Sequence, residues 1–174
     1  MLEQLRRELV KAIHDNIAGA TVIRDFELVP YKSPEIGVKF ESNLTPAYTF
    51  LGDVHDASKL YGGMRLYEEP VYIRVTSNVP HQGGVNDARV TVDNLVESVK
   101  QVIRYKWPSI LGGYGAGFML HGNIVISNTS FTVNNQRFVS RTVRVSLLVP
   151  DAYEPTEPPV LVAPEKITFE VKLA

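Results

Sequence analysis

The fold is decided by a β-rich stretch in the second half of the chain, HGNIVISNTSFTVNNQRFVSRTVRVSLLV, which covers residues 121–149. Two runs rich in β-branched and aromatic residues, 121–133 and 137–149, flank the pair Asn134 and Asn135. Asparagine tolerates the positive φ angles of a tight turn, so this pattern predicts a long antiparallel hairpin. Its second strand is predicted to have an apolar face and a polar face. The apolar face holds Val143, Val145, Leu147 and Val149, and the polar face holds Thr142, Arg144 and Ser146.

Two helices are predicted on the N-terminal side of this hairpin. Apolar residues recur at three- and four-residue steps over residues 2–17 and again over 91–107, which places one apolar stripe on each helix. Thr91 or Asp93 is suited to cap the free amides of the second helix, and Pro108 is expected to end it.

Three further strands follow from alternation of apolar and polar residues. Residues 35–41 and 71–75 alternate with period two, and residues 21–29 have the mixed character of a partly exposed strand. Residues 42–70 show no sustained period, and we expect a long surface loop there. The elements together predict an α+β fold with a mixed or antiparallel sheet, two packed helices, a long loop and an extended C-terminal arm.

The C-terminal arm differs in composition from the rest of the chain. Five prolines between Pro150 and Pro164 disfavour a strand and favour extended polyproline backbone. Residues 166–174 then alternate cleanly between apolar and polar side chains, which predicts a closing amphipathic strand. We therefore divide the chain into an α+β core domain, residues 1–149, and a proline-rich arm, residues 150–174.

The period-matched apolar positions define the predicted core. Replacing one of these large side chains with alanine is expected to destabilise the fold. The set comprises Leu5, Leu9, Ile13, Ile36, Val38, Val71, Ile73, Val75, Leu95, Val99, Val102, Val143, Val145 and Leu147.

Composition excludes several classes of function. The 174 residues are 44% hydrophobic and 21% charged, as expected for a globular protein, and the net charge of -1 gives no sign of a nucleic-acid or anionic-membrane surface. Charges among the first ten residues exclude the uninterrupted apolar core of a secretory signal, and no apolar run is long enough for a membrane span. Without cysteine there is no disulfide or thiolate site, which fits synthesis in a cytoplasm.

The glycine cluster at residues 112–117 does not match a phosphate-binding loop. It lacks the terminal Gly-Lys-Ser/Thr of a P-loop, and a strand rather than a helix is predicted after it. We expect a flexible turn or a subunit contact there. The sequence also contains no Gly-x-Ser-x-Gly elbow, so serine chemistry has no support.

Metal binding is not predicted either. Asp53, His55 and Asp56 form the one cluster with metal-capable side chains, but a site needs three or four convergent ligands. His14, His81 and His121 have no metal-site spacing relative to it, and His14 is better suited to the C-terminal end of the first helix. No catalytic residue, cofactor or metal is therefore predicted, and His55→Ala is expected to leave assembly intact.

Aromatic and apolar side chains in two segments are the candidate interface residues. Tyrosine is enriched in protein interfaces, and a free amphipathic strand is a hazard unless it is paired. The candidates are Tyr48, Phe50, Tyr61 and Tyr67 in the long loop and Ile167, Phe169, Val171 and Leu173 in the arm.

The order of elements over residues 1–149 resembles the tail terminator, or tail-completion, proteins of long-tailed bacteriophages. The resemblance is carried by the opening helix, the strand PEIGVKF at 34–40, the strand from Val71 that ends at NVP, residues 78–80, the helix 93–107 and the closing hairpin 123–149. The arm departs from the compact pattern of that family.

The resemblance implies a non-enzymatic protein of the virion, made in the host cytoplasm. Such proteins form a ring, commonly of six copies, that caps the tail tube, stops its polymerisation and docks to the head. The implied partners are other copies of the chain, the tail tube and neck or head-completion proteins, with no membrane and no sequence-specific nucleic acid.

Two alternatives remain open from sequence. One keeps the virion but places the chain in the baseplate, the neck or the head-completion complex. The other is a small α+β enzyme or ligand-binding domain with a pocket under residues 42–70, in which Asp53 and His55 are the candidate functional residues.

Overall fold

The hairpin at residues 121–149 forms one edge of the sheet and the strand next to that edge in the computed structural model. The structure describes residues 2–30, 32–41, 45–46, 65–80, 84–115 and 117–151. The helices are α1 (Leu2–Asn16), α2 (Val85–Tyr105) and α3 (Trp107–Gly113). The strands are β1 (Thr21–Arg24), β2 (Glu35–Phe40), β3 (Thr45–Pro46), β4 (Arg65–Asn78), β5 (Met119–Val133) and β6 (Gln136–Asp151).

The strands form one mixed sheet in the order β1-β2-β4-β6-β5, and the short β3 also pairs with β4. Strands β1 and β2 are parallel, and every other pair is antiparallel. Strands β4 and β6 pair along their full shared length, from Arg65 opposite Asp151 to Asn78 opposite Phe138. The predicted α+β class with a mixed sheet and packed helices is confirmed.

The main core lies where the apolar stripes of the helices meet the sheet. Every residue of the predicted core is buried, including Val99 of α2 and Ile73 of β4, which have no exposed surface. Sequence analysis missed Trp107, which is fully buried and whose indole N–H donates to the carbonyl of Leu9 at 3.2 Å. This bond joins the start of α3 to α1.

Strand β4 begins earlier than predicted, at Arg65 instead of Val71. Pro70 suggested a boundary, yet it lies inside the strand opposite Ser146. Proline has no N–H to donate, but the Pro70 carbonyl still accepts a hydrogen bond from the N–H of Glu41 at 3.2 Å. Strand β6 likewise continues through Pro150 to Asp151, two residues beyond the predicted end of the core domain.

Helix α2 also begins earlier, at Val85, and neither Thr91 nor Asp93 caps it. The N-terminal cap is Gly84, with no side-chain hydrogen bond, and the apolar stripe extends back to the buried Ala88. Asp93 instead pairs with Arg141 of β6 at 3.3 Å.

Pro108 does not end the helical region, because it occupies the first turn of α3. Proline is tolerated there since the first-turn N–H groups have no partner within a helix. Gly112 and Gly113 are the last residues of α3, so they do not belong to the predicted turn. Gly115 and Gly117 follow it with φ angles of 113° and 95°, which glycine adopts readily.

Strand β1 ends at Arg24, five residues before the predicted end, because Asp25 takes a positive φ of 59°. The chain then folds Phe26 against β2. A Cβ atom added to Gly37 would lie 2.4 Å from the Phe26 Cβ, so glycine is the residue that permits this contact.

Strand β2 is therefore buried on both faces over residues 35–38, whereas alternation predicted one buried face. Glu35 and Gly37 are buried on the second face, beside Phe26 and Arg74. The Arg74 guanidinium carbon lies 4.4 Å from the Phe26 ring centroid, and Arg74 also donates to the Glu27 carbonyl.

Candidate interaction surface

The outer edge of β5 is the most conspicuous surface of the described residues. The hairpin turn is made by Asn134 and Asn135, with φ angles of 50° and 62°, which confirms the predicted turn. Strand β5 pairs with β6 on one side, and no described strand pairs with its other side. Backbone N–H and C=O groups on that side are available to another strand.

Strand β5 is exposed along nearly all of its length, in contrast with its partner. Val125, Ile126 and Met119 are 54%, 41% and 37% exposed. On β6, the residues from Val145 to Val149 are all buried. The hairpin thus presents one outer strand whose apolar side chains face solvent.

The composition of β5 does not protect this edge. Its sequence, MLHGNIVISNTSFTV, contains no Lys, Arg, Asp, Glu or Pro, the residues with which natural edge strands resist pairing. An irregularity in pairing with β6 lies between His121 and Val125, where Gly122 has a φ of 70°. Beyond it, Val125 to Val133 pair with β6 without interruption.

The end of the hairpin is stiffened by an aromatic pair. Phe131 and Phe138 are directly opposite each other, with ring centroids 5.1 Å apart and planes inclined by 22°. Phe138 is 4% exposed although it lies outside the main core cluster. Stacked aromatic pairs stabilise antiparallel strands, so this pair strengthens the pairing of β5 with β6 close to the turn.

An open groove of about 350 Å³ lies between α1 and α3. Its charged lining carries both signs, from Glu8, Lys11, Asp15 and Lys106. A hydrogen bond from His14, followed by the nearby Lys11, lowers the pKa of Asp15. Lys11 pairs with Asp15 at 3.4 Å, and a lining that carries both signs does not select an ion of one sign.

His14 lies in the last turn of α1, where the sequence placed it, but it does not cap the helix carbonyls. Its Nδ1 atom lies 3.1 Å from the carboxylate of Asp15. The side chain of Asn16 donates to the carbonyl of Ala12 at 2.8 Å and takes the capping role.

Two ion pairs with buried carboxylates involve strand β4, one joining it to α1 and the other joining it to β2. Arg6 of α1 donates to Glu69 of β4 at 3.2 Å, and the Glu69 side chain has no exposed surface. Arg74 lies 3.9 Å from Glu35, and desolvation by burial lowers the pKa of Arg74. Each pair has a direct structural role in joining elements of the fold.

The predicted interface residues are only partly covered by the structure. Tyr67 lies in β4, partly exposed, opposite Val149 and Pro46. The other candidates lie outside the described residues: Tyr48, Phe50 and Tyr61 of the loop, and Ile167, Phe169, Val171 and Leu173 of the arm.

The metal-capable cluster of Asp53, His55 and Asp56 also lies outside the described residues, as does His81. His14 and His121 belong to α1 and β5, and the structure does not bring them together in a ligand set. Within the described ranges, no group of three or more His, Cys, Asp or Glu side chains is placed to hold a metal ion.

The sequence did not predict that β5 lies at an exposed edge of the sheet. The run from Met119 to Val133 has no charge and no proline over its whole length. Such a run is typical of a central strand, and only the strand order shows that it lies at the edge.

Among the described helices, none has the length and apolar character needed to cross a membrane. Comparison of the sequence with protein-family models found no match, and comparison with curated proteins found no significant match.

Proposed function

We propose that the protein is a structural subunit of a bacteriophage virion, and that it forms a ring that terminates the tail tube and joins it to the head. The observation that carries the proposal is the outer edge of β5, which is long, exposed and free of charge and proline. A monomeric protein with such an edge is at risk of aggregation, whereas a ring subunit can pair the edge with its neighbour.

Ring geometry supports this use of the edge. Each subunit of a ring contacts its two neighbours through two different surfaces, and the rotation between copies must close. An open strand edge supplies one such surface, because it can pair with a strand from a different part of the neighbouring subunit. A net charge of -1 adds little repulsion when many copies are packed together.

The order of elements also supports the proposal. The opening helix, the parallel and antiparallel strands, the long second helix and the closing hairpin appear in the order on which the resemblance to tail terminators rests. The structure adds β3 and α3 to that order. Neither addition interrupts the sheet.

The oligomeric state of the purified full-length chain is the first test. Mass photometry is expected to show one closed species, at six times the 19.4 kDa chain mass for a hexamer. Negative-stain images are expected to show rings. A protein that stays monomeric over the whole concentration range would contradict the proposal.

Tail binding is the second test, and it separates tail termination from the other virion positions. Rings mixed with polymerising tail-tube protein of the same phage are expected to cap one tube end and to shorten the tubes. Rings that neither bind the tube nor change its length would contradict tail termination and favour a baseplate, neck or head-completion subunit.

A further inference from the structure

We infer that the free edge of β5, from Val125 to Val133, receives the C-terminal strand at residues 166–174 of a neighbouring copy as an added antiparallel strand. The choice of a neighbouring copy rests on the proposed ring.

The first step is the direction of the backbone groups of β5. The hairpin closes through two residues, Asn134 and Asn135, so Val133 and Gln136 form its first hydrogen-bonded pair. Pairs alternate along an antiparallel ladder, so Ile126, Asn128, Ser130 and Thr132 direct their N–H and C=O groups away from β6. These groups form a regular row on the outer edge.

The second step is the fit of the arm to that row. Residues 166–174, KITFEVKLA, match the length of Val125–Val133 and alternate apolar and polar side chains. The β5 segment carries no charge, so the arm residues Lys166, Glu170 and Lys172 meet no like charge on it. Val125 and Ile126 are both exposed, and they lie on opposite faces of β5. The apolar side chains of the arm can therefore contact one of them on either face of the sheet.

The third step is the reach of the arm. Strand β6 ends at Asp151, at the end of the hairpin opposite the turn. An antiparallel arm would begin beside Val133, which is about 50 Å from Asp151 at 3.3 Å per strand residue. Fifteen residue steps separate Asp151 from Lys166, and a chain of that length reaches about 46 Å in polyproline conformation and about 50 Å when fully extended. Antiparallel pairing on the chain's own β5 would therefore need a fully stretched linker, whereas a neighbour's edge is not tied to that distance.

Cysteine cross-linking tests the inference cleanly, because the natural chain has no cysteine. One full-length preparation carries Thr129→Cys, in the middle of the acceptor segment. A second carries Phe169→Cys or Glu170→Cys, which lie on opposite faces of the arm. The two preparations are mixed, allowed to exchange subunits and oxidised, and the products are separated by size without reductant.

The expected product is a disulfide-linked dimer that contains one chain of each preparation, formed with one or both of the arm variants. The matched control replaces Thr129→Cys with Val90→Cys, an exposed position on α2 that is 59% accessible. Cross-linking no greater than in this control would overturn the inference. A disulfide that forms only within one chain, in a variant carrying both cysteines, would overturn the choice of a neighbouring copy.

A second variant tests the backbone contact without a disulfide. Ser130→Pro removes an outward N–H group while the hydrogen-bonded pairs with β6 on either side remain, and Ser130→Ala is its control. The proline variant is expected to keep the cooperative thermal transition and to lose the oligomer, whereas the alanine variant keeps both. An unchanged oligomer in the proline variant would count against the β5 edge.

These outcomes are separate from those of the proposed function. Rings that bind tail tubes but give no cross-link would refute the arm contact and leave tail termination standing. Cross-linked rings that do not bind tail tubes would refute tail termination and leave the arm contact standing.

Discussion

Replacing Arg6 with methionine is expected to destabilise the fold strongly, because Arg6 partners a carboxylate that is cut off from water. Glu69 has no exposed surface, and the Arg6 side chain is 14% exposed. Removing one member of a buried ion pair typically costs about 3–5 kcal/mol, since the remaining charge loses its compensation. For a protein of this size the loss corresponds to a fall in Tm of roughly 6–20 °C. Methionine keeps the helix propensity and most of the aliphatic stem.

Arg7→Met is the matched control. Arg7 is the next residue of the same helix, its side chain is 73% exposed, and its partner Glu3 is also solvent-accessible. The cost of this change is expected to stay within about 0.5 kcal/mol. Both variants are compared with the wild type by urea and thermal unfolding at one protein concentration.

The double variant Arg6→Met/Glu69→Gln completes the test. Glutamine removes the buried charge that Arg6 balances, so the double variant is expected to recover part of the stability that Arg6→Met alone loses. If Arg6→Met is no more damaging than Arg7→Met, or if Glu69→Gln only adds to its cost, the buried pair does not hold α1 on the sheet and the reasoning fails.

Four further measurements check other parts of the structure. Val99→Ala should cost about 1–4 kcal/mol in urea unfolding, while the exposed Val90→Ala on the same helix should cost less than about 0.5 kcal/mol; equal costs would refute the assigned helix face. Gly37→Ala should cost about 1–3 kcal/mol, because its new methyl group overlaps Phe26, and a neutral result would show that the contact yields easily. Arg24 of β1 forms an ion pair with Glu3 and donates hydrogen bonds to its carboxylate, which lowers the pKa of Glu3 from 4.5; the stabilising effect of this pair is therefore complete above pH 4.5 and is lost as the pH falls through the folded-state pKa. The stability gap between wild type and Glu3→Gln should shrink on acidification, and a gap that widens would contradict the pair. Deletion of residues 156–174 should keep a cooperative melt in differential scanning calorimetry and weaken the oligomer, and an assembly of unchanged stability would rule out an interface role for the arm.

Much of the fold could be predicted because local periodicity is strong where one face is buried. The alternation around Ile73 and the helical spacing around Val99 both located core residues correctly. Errors arose at residues whose local preference was overridden. Pro70 sits inside a strand because its carbonyl is still used, and Pro108 opens a helix instead of ending one.

The candidate surface could not be predicted in the same way, because its character depends on contacts distant in sequence. The run Met119–Val133 contains no charge and no proline, which is typical of a central strand with a partner on each side. Its exposure follows from the pairing of β4 with β6, which leaves β5 outermost. The second buried face of β2 was missed for a similar reason, since Phe26 reaches it only after the chain turns at Asp25.

The pairing of β4 with β6 also governs when the chain can fold during its synthesis. Strand β4 leaves the ribosome long before β6, and the helices α2 and α3 and strand β5 are made between them. Until Gln136–Asp151 has emerged, one side of β4 has no partner and the apolar residues Val71, Ile73 and Val75 lack the strand that completes their sheet. Contacts between such distant segments fold slowly, so the nascent chain depends on its last described strand to complete the core.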